Sequence, residues 1–199
     1  MQPFIDHARS FGRRSAVRSG ELAALADGQW PQALFITCSD SRVIPSLITG
    51  ARPGELFELR TAGNIVPPHT PGRPTSEAAT VEYAVDVLGV QDIVVCGHSH
   101  CGAVGALARG EDLTTVPAVR DWLAHSAPEV PGSTGASDDP AVTSAVQHHV
   151  LTQLIRLRSY PCVARRAESG ALRLHGWYYE VHTGAVLAHR PHANAFTPL

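Results

Sequence analysis

Two short apolar runs in this chain break off abruptly into polar, chemistry-bearing sequence, and that pattern limits the folds open to it. Residues 33–38 read Ala-Leu-Phe-Ile-Thr-Cys and run into Ser39-Asp40-Ser41-Arg42. Residues 92–96 read Asp-Ile-Val-Val-Cys and run into Gly97-His98-Ser99-His100-Cys101-Gly102. Runs this short and this continuously apolar predict strands buried on both faces, as in a parallel sheet. Residues 55–60 predict a further strand, entered through the turn signal Arg52-Pro53-Gly54, and residues 67–74 a loop. A helix is predicted from Thr75 or Ser76 to Leu88, with Ala78, Val81, Val85 and Leu88 on one stripe and Gly89 just beyond its end. A second helix begins near Cys101-Gly102. A loop covers residues 131–139, and Pro140 opens a longer helix to about Arg158. Residues 172–181 and 185–189 predict two strands joined at Thr183-Gly184. Strands alternating with helices give an α/β fold, a largely parallel central sheet flanked by helices. At 199 residues the chain suits one domain spanning 1–199.

In such a sheet, ligands bind beyond the carboxyl ends of the strands. Both polar breaks lie there. Composition narrows the chemistry they can carry. All 16 basic residues are Arg, so an enzyme built on a lysine amine, such as a Schiff-base catalyst or a Walker-type phosphate loop, is excluded. The net charge is −2 with the arginines scattered, so no basic stripe marks a nucleic-acid partner. No apolar run approaches a membrane span. Residues 1–20 carry four arginines without an apolar stretch, which argues against a secretory signal and for the cytoplasm. Four cysteines in a reducing compartment point to metal, catalysis or core rather than disulfides.

His98 and Cys101 are three residues apart at a strand-to-helix turn, and Cys38 ends a neighbouring strand. Thiolates and an imidazole suit zinc, and a Cys2His set leaves a fourth tetrahedral position. Asp40 lies close enough to fill that position or to hydrogen-bond a water in it. Arg42 can grip the Asp40 carboxylate through its planar fork. Two core cysteines beside a structural histidine would be the plainer reading of the same spacing.

Taken together, Cys38-Ser-Asp40-Ser-Arg42, Pro53-Gly-Glu-Leu-Phe57, Arg60-Thr-Ala-Gly-Asn64, Glu82-Tyr-Ala-Val85 and Cys96-Gly-His98-Ser-His-Cys101-Gly-Ala103 resemble the beta-class carbonic anhydrases. The likeness keeps order and spacing from Gln29 to about Leu107 and resumes at Leu174-His-Gly-Trp-Tyr-Tyr-Glu180. It implies zinc on Cys38, His98 and Cys101, an Asp40–Arg42 dyad, and reversible hydration of CO2 to bicarbonate by a hydroxide on the zinc. It further implies that Gln29 faces substrate, that Phe57 and Tyr83 narrow the pocket as in the plant-like branch, and that Gly102 offers an N–H to an anion. The family's pocket is completed across a dimer interface, so the resemblance implies a homodimer or a multiple of it. Thr61 departs from the family pattern, where Asn is common, and leaves the packing of that loop open. Phe35 stands where the bicarbonate-regulated branch carries Trp, which argues against that branch's inhibitory site. Two thiolates put more negative charge on the metal than three imidazoles would, so activity is expected to rise toward alkaline pH.

Two alternatives keep part of this pattern. Relatives on the same fold hydrolyse carbonyl sulfide or carbon disulfide. A serine hydrolase would use Ser99 in Gly97-His-Ser-His-Cys101, which resembles a nucleophile elbow except that Cys101 replaces its last glycine. Elsewhere the plainer reading holds. Cys96 is core and Cys162 a simple thiol. His100 is a surface residue, though its place between two ligands suits a proton carrier. His148 and His149, adjacent on a helix, do not face one site. His182, His189 and His192 belong to a solvated hairpin and tail.

Overall fold

The computed structural model describes residues 1–14, 19–125, 130–132 and 140–199. They fall into two compact units, Met1–Trp30 and Pro31–Leu199. The first comprises helices α1 (Gln2–Arg14) and α2 (Ser19–Ala24) and a 3-10 turn at Leu25–Asp27.

The second unit is built on a sheet of six strands among the described residues: β1 (Ala33–Cys38), β2 (Leu56–Thr61), β3 (Asp92–His98), β4 (Arg173–Tyr179), β5 (Val186–Arg190) and β6 (Ala195–Pro198). Their order is β2-β1-β3-β4-β5-β6. The first four in that order are parallel; β5 and β6 add antiparallel neighbours at one edge. Helices α3 (Pro45–Thr49), α4 (Ser76–Glu82), α5 (Gly102–Arg109), α6 (Pro117–Leu123), α7 (Pro140–Leu157) and α8 (Pro161–Glu168) make the connections. Most of the loop expected over residues 131–139 lies outside the described residues.

β1 and β3 are buried along almost their whole length, as their unbroken apolar runs require. One face, carrying Leu34, Ile36, Ile93 and Val95, packs against Val81 and Val85, Val150 and Leu157, and Val163. The other carries Phe35, Val94 and Cys96, with Phe35 edge-on to Trp177 at 5.8 Å. α7 lies directly on the sheet because two strand residues have no side chain. A Cβ on Gly97 would sit 2.7 Å from Val150 Cγ2 and 2.8 Å from Val146 Cγ1, and one on Gly176 would sit 3.1 Å from Val150 and Leu154.

The helix expected over 75–88 begins as read, with the Thr75 hydroxyl accepting from Ala78 N–H. It then widens into a π turn at Tyr83–Val87, closed by Leu88 N–H donating to Tyr83 O at 2.9 Å. The wider turn buries the adjacent Ala84 and Val85 together and leaves Tyr83 45% exposed.

Candidate metal centre

The parallel register pairs Thr37 with Cys96, so β1 and β3 end at the same level. Cys38 closes β1, His98 closes β3, and Cys101 is the N-cap residue of α5. All three are buried, and one ligand atom from each lies within 4.8 Å of the others, the one such group among the described residues. Donors around a tetrahedral ion, with thiolate at about 2.3 Å and imidazole at about 2.0 Å, stand that close.

The imidazole is oriented for the task. His98 Nδ1 donates to the Ser99 carbonyl at 2.8 Å, which leaves the lone pair on Nε2. Nε2 is fully buried and has no hydrogen-bond partner. An acceptor left like that costs free energy unless a cation takes its lone pair. The thiols show the same readiness. The Cys101 thiol donates to Cys38, which holds the Cys38 thiol well below its ordinary range and, with burial, keeps the Cys101 proton on. Gly63 N–H also donates to Cys38 Sγ, at 3.3 Å. A cation at this point replaces the shared proton, so the residues fit a metal.

Asp40 and Arg42 form the fork-to-fork pair that their spacing suggests. Arg42 Nε donates to Asp40 Oδ1 at 2.9 Å and Nη2 to Oδ2 at 2.6 Å, while Arg42 backbone N–H adds a bond of 2.9 Å to Oδ1. These donors hold the Asp40 carboxyl below the usual carboxylate range. Arg42 Nη2 also donates to the carbonyl of His100, at 3.1 Å. Asp40 Oδ2 lies 3.9 Å from His98 Nε2, beside the metal-capable cluster but bonded to arginine.

Arg60, quoted above only within a motif, organises this loop. Its guanidinium donates to the carbonyls of Cys38, Asp40 and Val43 at 2.8 to 3.2 Å. The sequence offered only its place at the end of the strand expected over residues 55–60; the pairing of that strand with β1 brings it to the three carbonyls. Thr61 closes the next turn, its hydroxyl donating to Ile65 O at 2.9 Å while its own carbonyl accepts from Ser39 N–H. That is the packing the departure from Asn left open.

The remaining expected residues fall in different places. Gly102 opens α5 and is exposed, with no atom within 4 Å of where a Cβ would stand. Phe57 and Tyr83 are neighbours, their ring centroids 5.9 Å apart. Phe57 pairs in register with Leu34, four residues before Cys38, so it lies roughly 13 Å along the sheet from the cluster of its own chain. Gln29 belongs to the first unit and is exposed. Cys96 is fully buried, and that burial pushes its thiol up to about 12; Cys162 is buried in the main core. Ser99 is engaged elsewhere, its hydroxyl accepting from Val181 N–H at 2.9 Å.

The family model for carbonic anhydrase matches residues 33–186. A carbonic anhydrase of Pseudomonas aeruginosa is 50% identical over 190 residues, covering 94% of this chain and 86% of that protein. The solved beta-carbonic anhydrase CcaA superposes with a TM-score of 0.91 at 37% identity, covering 100% of this chain and 99% of that one. A tetrameric beta-carbonic anhydrase from Sordaria macrospora superposes with a TM-score of 0.80 at 26% identity, each chain covered to 98%. The match over residues 33–186, the 50% identity to a carbonic anhydrase and the superposition on CcaA together show that this protein belongs to the beta-class carbonic anhydrases.

Proposed function

We propose that the protein hydrates CO2 reversibly to bicarbonate, using zinc held by Cys38, His98 and Cys101 and a reacting oxygen oriented by Asp40. The observation that carries this reading is the unpartnered, fully buried His98 Nε2 between two thiols, with an arginine-bound carboxylate 3.9 Å away. Zinc, when bound, makes water a nucleophile at neutral pH by acidifying it. The protein's own residues do the rest.

Asp40, ionised and gripped by Arg42, can only accept a hydrogen bond. It therefore selects an oxygen that still carries a proton and turns that oxygen's lone pair toward CO2. Arg60 and Arg42 hold the loop so that the carboxylate does not drift. The Gly102 N–H, at the start of α5, can meet a bicarbonate oxygen. Phe57 and Tyr83 are too far along the sheet to line the cluster of their own chain, so we assign them, with Gln29, to the pocket completed by a second copy. This makes the homodimer the smallest competent unit, with both compact units serving one activity. The tetrameric fungal relative supports an oligomer of this kind. Phe35, buried on the opposite face, together with Asp40 on Arg42, supports the plant-like branch with the fourth metal position open. Four free, buried cysteines support a reducing compartment, the cytoplasm. Among the described residues no helix is long and apolar enough to cross a membrane.

The test is a side-by-side assay of the purified protein with CO2, carbonyl sulfide and carbon disulfide. CO2 hydration in large excess over either sulfur substrate is the expected result. Preferred turnover of carbonyl sulfide or carbon disulfide would transfer the same site to the alternative hydrolase.

A further inference from the structure

Helix α7 and the turn after it present four polar side chains to the segment that follows β2. His149, Gln153 and Arg156 share one face of the helix, and Tyr160 continues that spacing just beyond its end. His149 Nε2 donates to Gly63 O at 2.8 Å, and Gln153 Oε1 accepts from Val66 N–H at 2.8 Å. Arg156 Nη1 donates to Val66 O at 3.2 Å and Tyr160 Oη to Pro67 O at 2.8 Å. His149 and Gln153 are fully buried. The first bond in this series bears on the metal site, because Gly63 also donates its N–H to Cys38 Sγ.

Residues 62–64 need outside help to keep their shape. Gly63 has φ 72° and Asn64 φ 48°, two successive left-handed residues. A side chain at 63 would also bring a Cβ within 3.1 Å of the Ala103 Cβ. Two side chains from other elements hold the turn. Trp122 Nε1 donates to Ala62 O at 2.9 Å on one side, and His149 grips Gly63 O on the other. A carbonyl only accepts, so Nε2 of His149 carries the proton and Nδ1 is left as an acceptor. Gln153 Nε2 faces that Nδ1 at 3.4 Å. Burial, the largest influence, pushes the imidazole down to about 4 and keeps the ring neutral in this tautomer.

We propose that His149 is a positioning residue for the metal centre: by fixing the Gly63 carbonyl, it keeps the Gly63 N–H aimed at the Cys38 sulfur. The role rests on the metal reading above. An N–H donor draws charge from a thiolate and limits where the sulfur can swing. Losing it leaves a more electron-rich, less well placed ligand. Partners one step outside the ligands commonly change metal affinity by about 10- to 100-fold.

The experiment is cobalt(II) titration of the wild-type chain and of His149→Leu, His149→Gln and Gln153→Met, with zinc affinity from competition against a chelator. His149→Leu should bind zinc about 10- to 100-fold more weakly. Its thiolate-to-cobalt absorption should move to lower energy. His149→Gln, whose Nε2 can still reach the Gly63 carbonyl, should restore most of both. A purely structural role would affect the melting temperature but leave the absorption energy in place. His149→Leu with wild-type affinity and absorption overturns the proposal, as does equal impairment of the Leu and Gln variants. Should His149→Leu fail to fold, Gln153→Met decides: it leaves the ring without its anchor, and unchanged affinity there overturns the proposal. A wild-type chain that takes up no cobalt overturns the metal reading and this role with it. Uptake by wild type with unaltered variants overturns this role alone.

Discussion

Arg42→Ala probes the division of labour at the site most sharply. Asp40 has three donors on its carboxylate, and the substitution removes the two from the guanidinium while leaving the backbone N–H. Charge-assisted bonds contribute about 1.5–3 kcal/mol each. The Arg42 side chain is 47% exposed, so solvent screens the pair, and a joint loss of about 2 kcal/mol is a fair discount. That corresponds to a shift of about 30-fold in where Asp40 rests. Its Oδ2 is already 3.9 Å from His98 Nε2, so a freed carboxylate would be within reach of a metal held by that histidine. We expect Arg42→Ala to retain metal at the wild-type level and to lose CO2 hydration by up to about 30-fold, mainly in kcat. Arg42→Lys keeps a charge without the fork and should fall between. Stopped-flow hydration with metal analysis on the same samples reads both quantities. Hydration within threefold of wild type would refute the reasoning, and so would loss of the metal.

Three further outcomes follow from the packing. Gly97→Ala puts a Cβ 2.7 Å from Val150 Cγ2; overpacking between a stiff helix and the strand should cost about 2–3 kcal/mol, or a fall in Tm of about 5–10 °C by calorimetry, whereas an unchanged Tm would mean that α7 does not sit so close. Replacing Cys96 and Cys162 together with Ala should cost about 1–2 kcal/mol of stability and leave metal content unchanged, because both lie in core away from the cluster; loss of metal would change the ligand set. His149 takes up a proton near its ordinary value of 6.5 in the unfolded chain but only at about 4 when buried. The unfolded state therefore binds more protons between those values, and stability present above pH 6.5 is lost as pH falls toward 4, by up to about 3 kcal/mol. Urea unfolding across that range should show the acid limb, and His149→Gln should flatten it; an unaltered limb would assign it to other groups.

The elements around the metal-capable cluster were the most legible in the sequence, because both strand ends combine an apolar run with a sudden change of chemistry. β1 has the expected limits, and β3 runs on to His98 because His98 is still paired with Tyr179 in the sheet. Among the elements that escaped, α3 and α6 are short and offer only a proline in the first turn as a start signal, and β6 is four residues at a sheet edge. The π turn at Tyr83–Val87 was hidden because Ala78, Val81, Val85 and Leu88 also fit a regular helix. His149 looked like an ordinary helix histidine because its partner, Gly63, is 86 residues away. Phe57 and Tyr83 could be named from the family pattern, but only the strand register reveals their distance from Cys38 in the same chain.

The central claim is that one metal on Cys38, His98 and Cys101 carries the activity. Zinc content and stopped-flow CO2 hydration, measured on one preparation before chelation, after it and after zinc is returned, test this directly. The account predicts one zinc per chain, hydration that disappears with the metal and returns with it, and neither in Cys101→Ser. Full hydration by metal-free protein, or by Cys101→Ser, would contradict it.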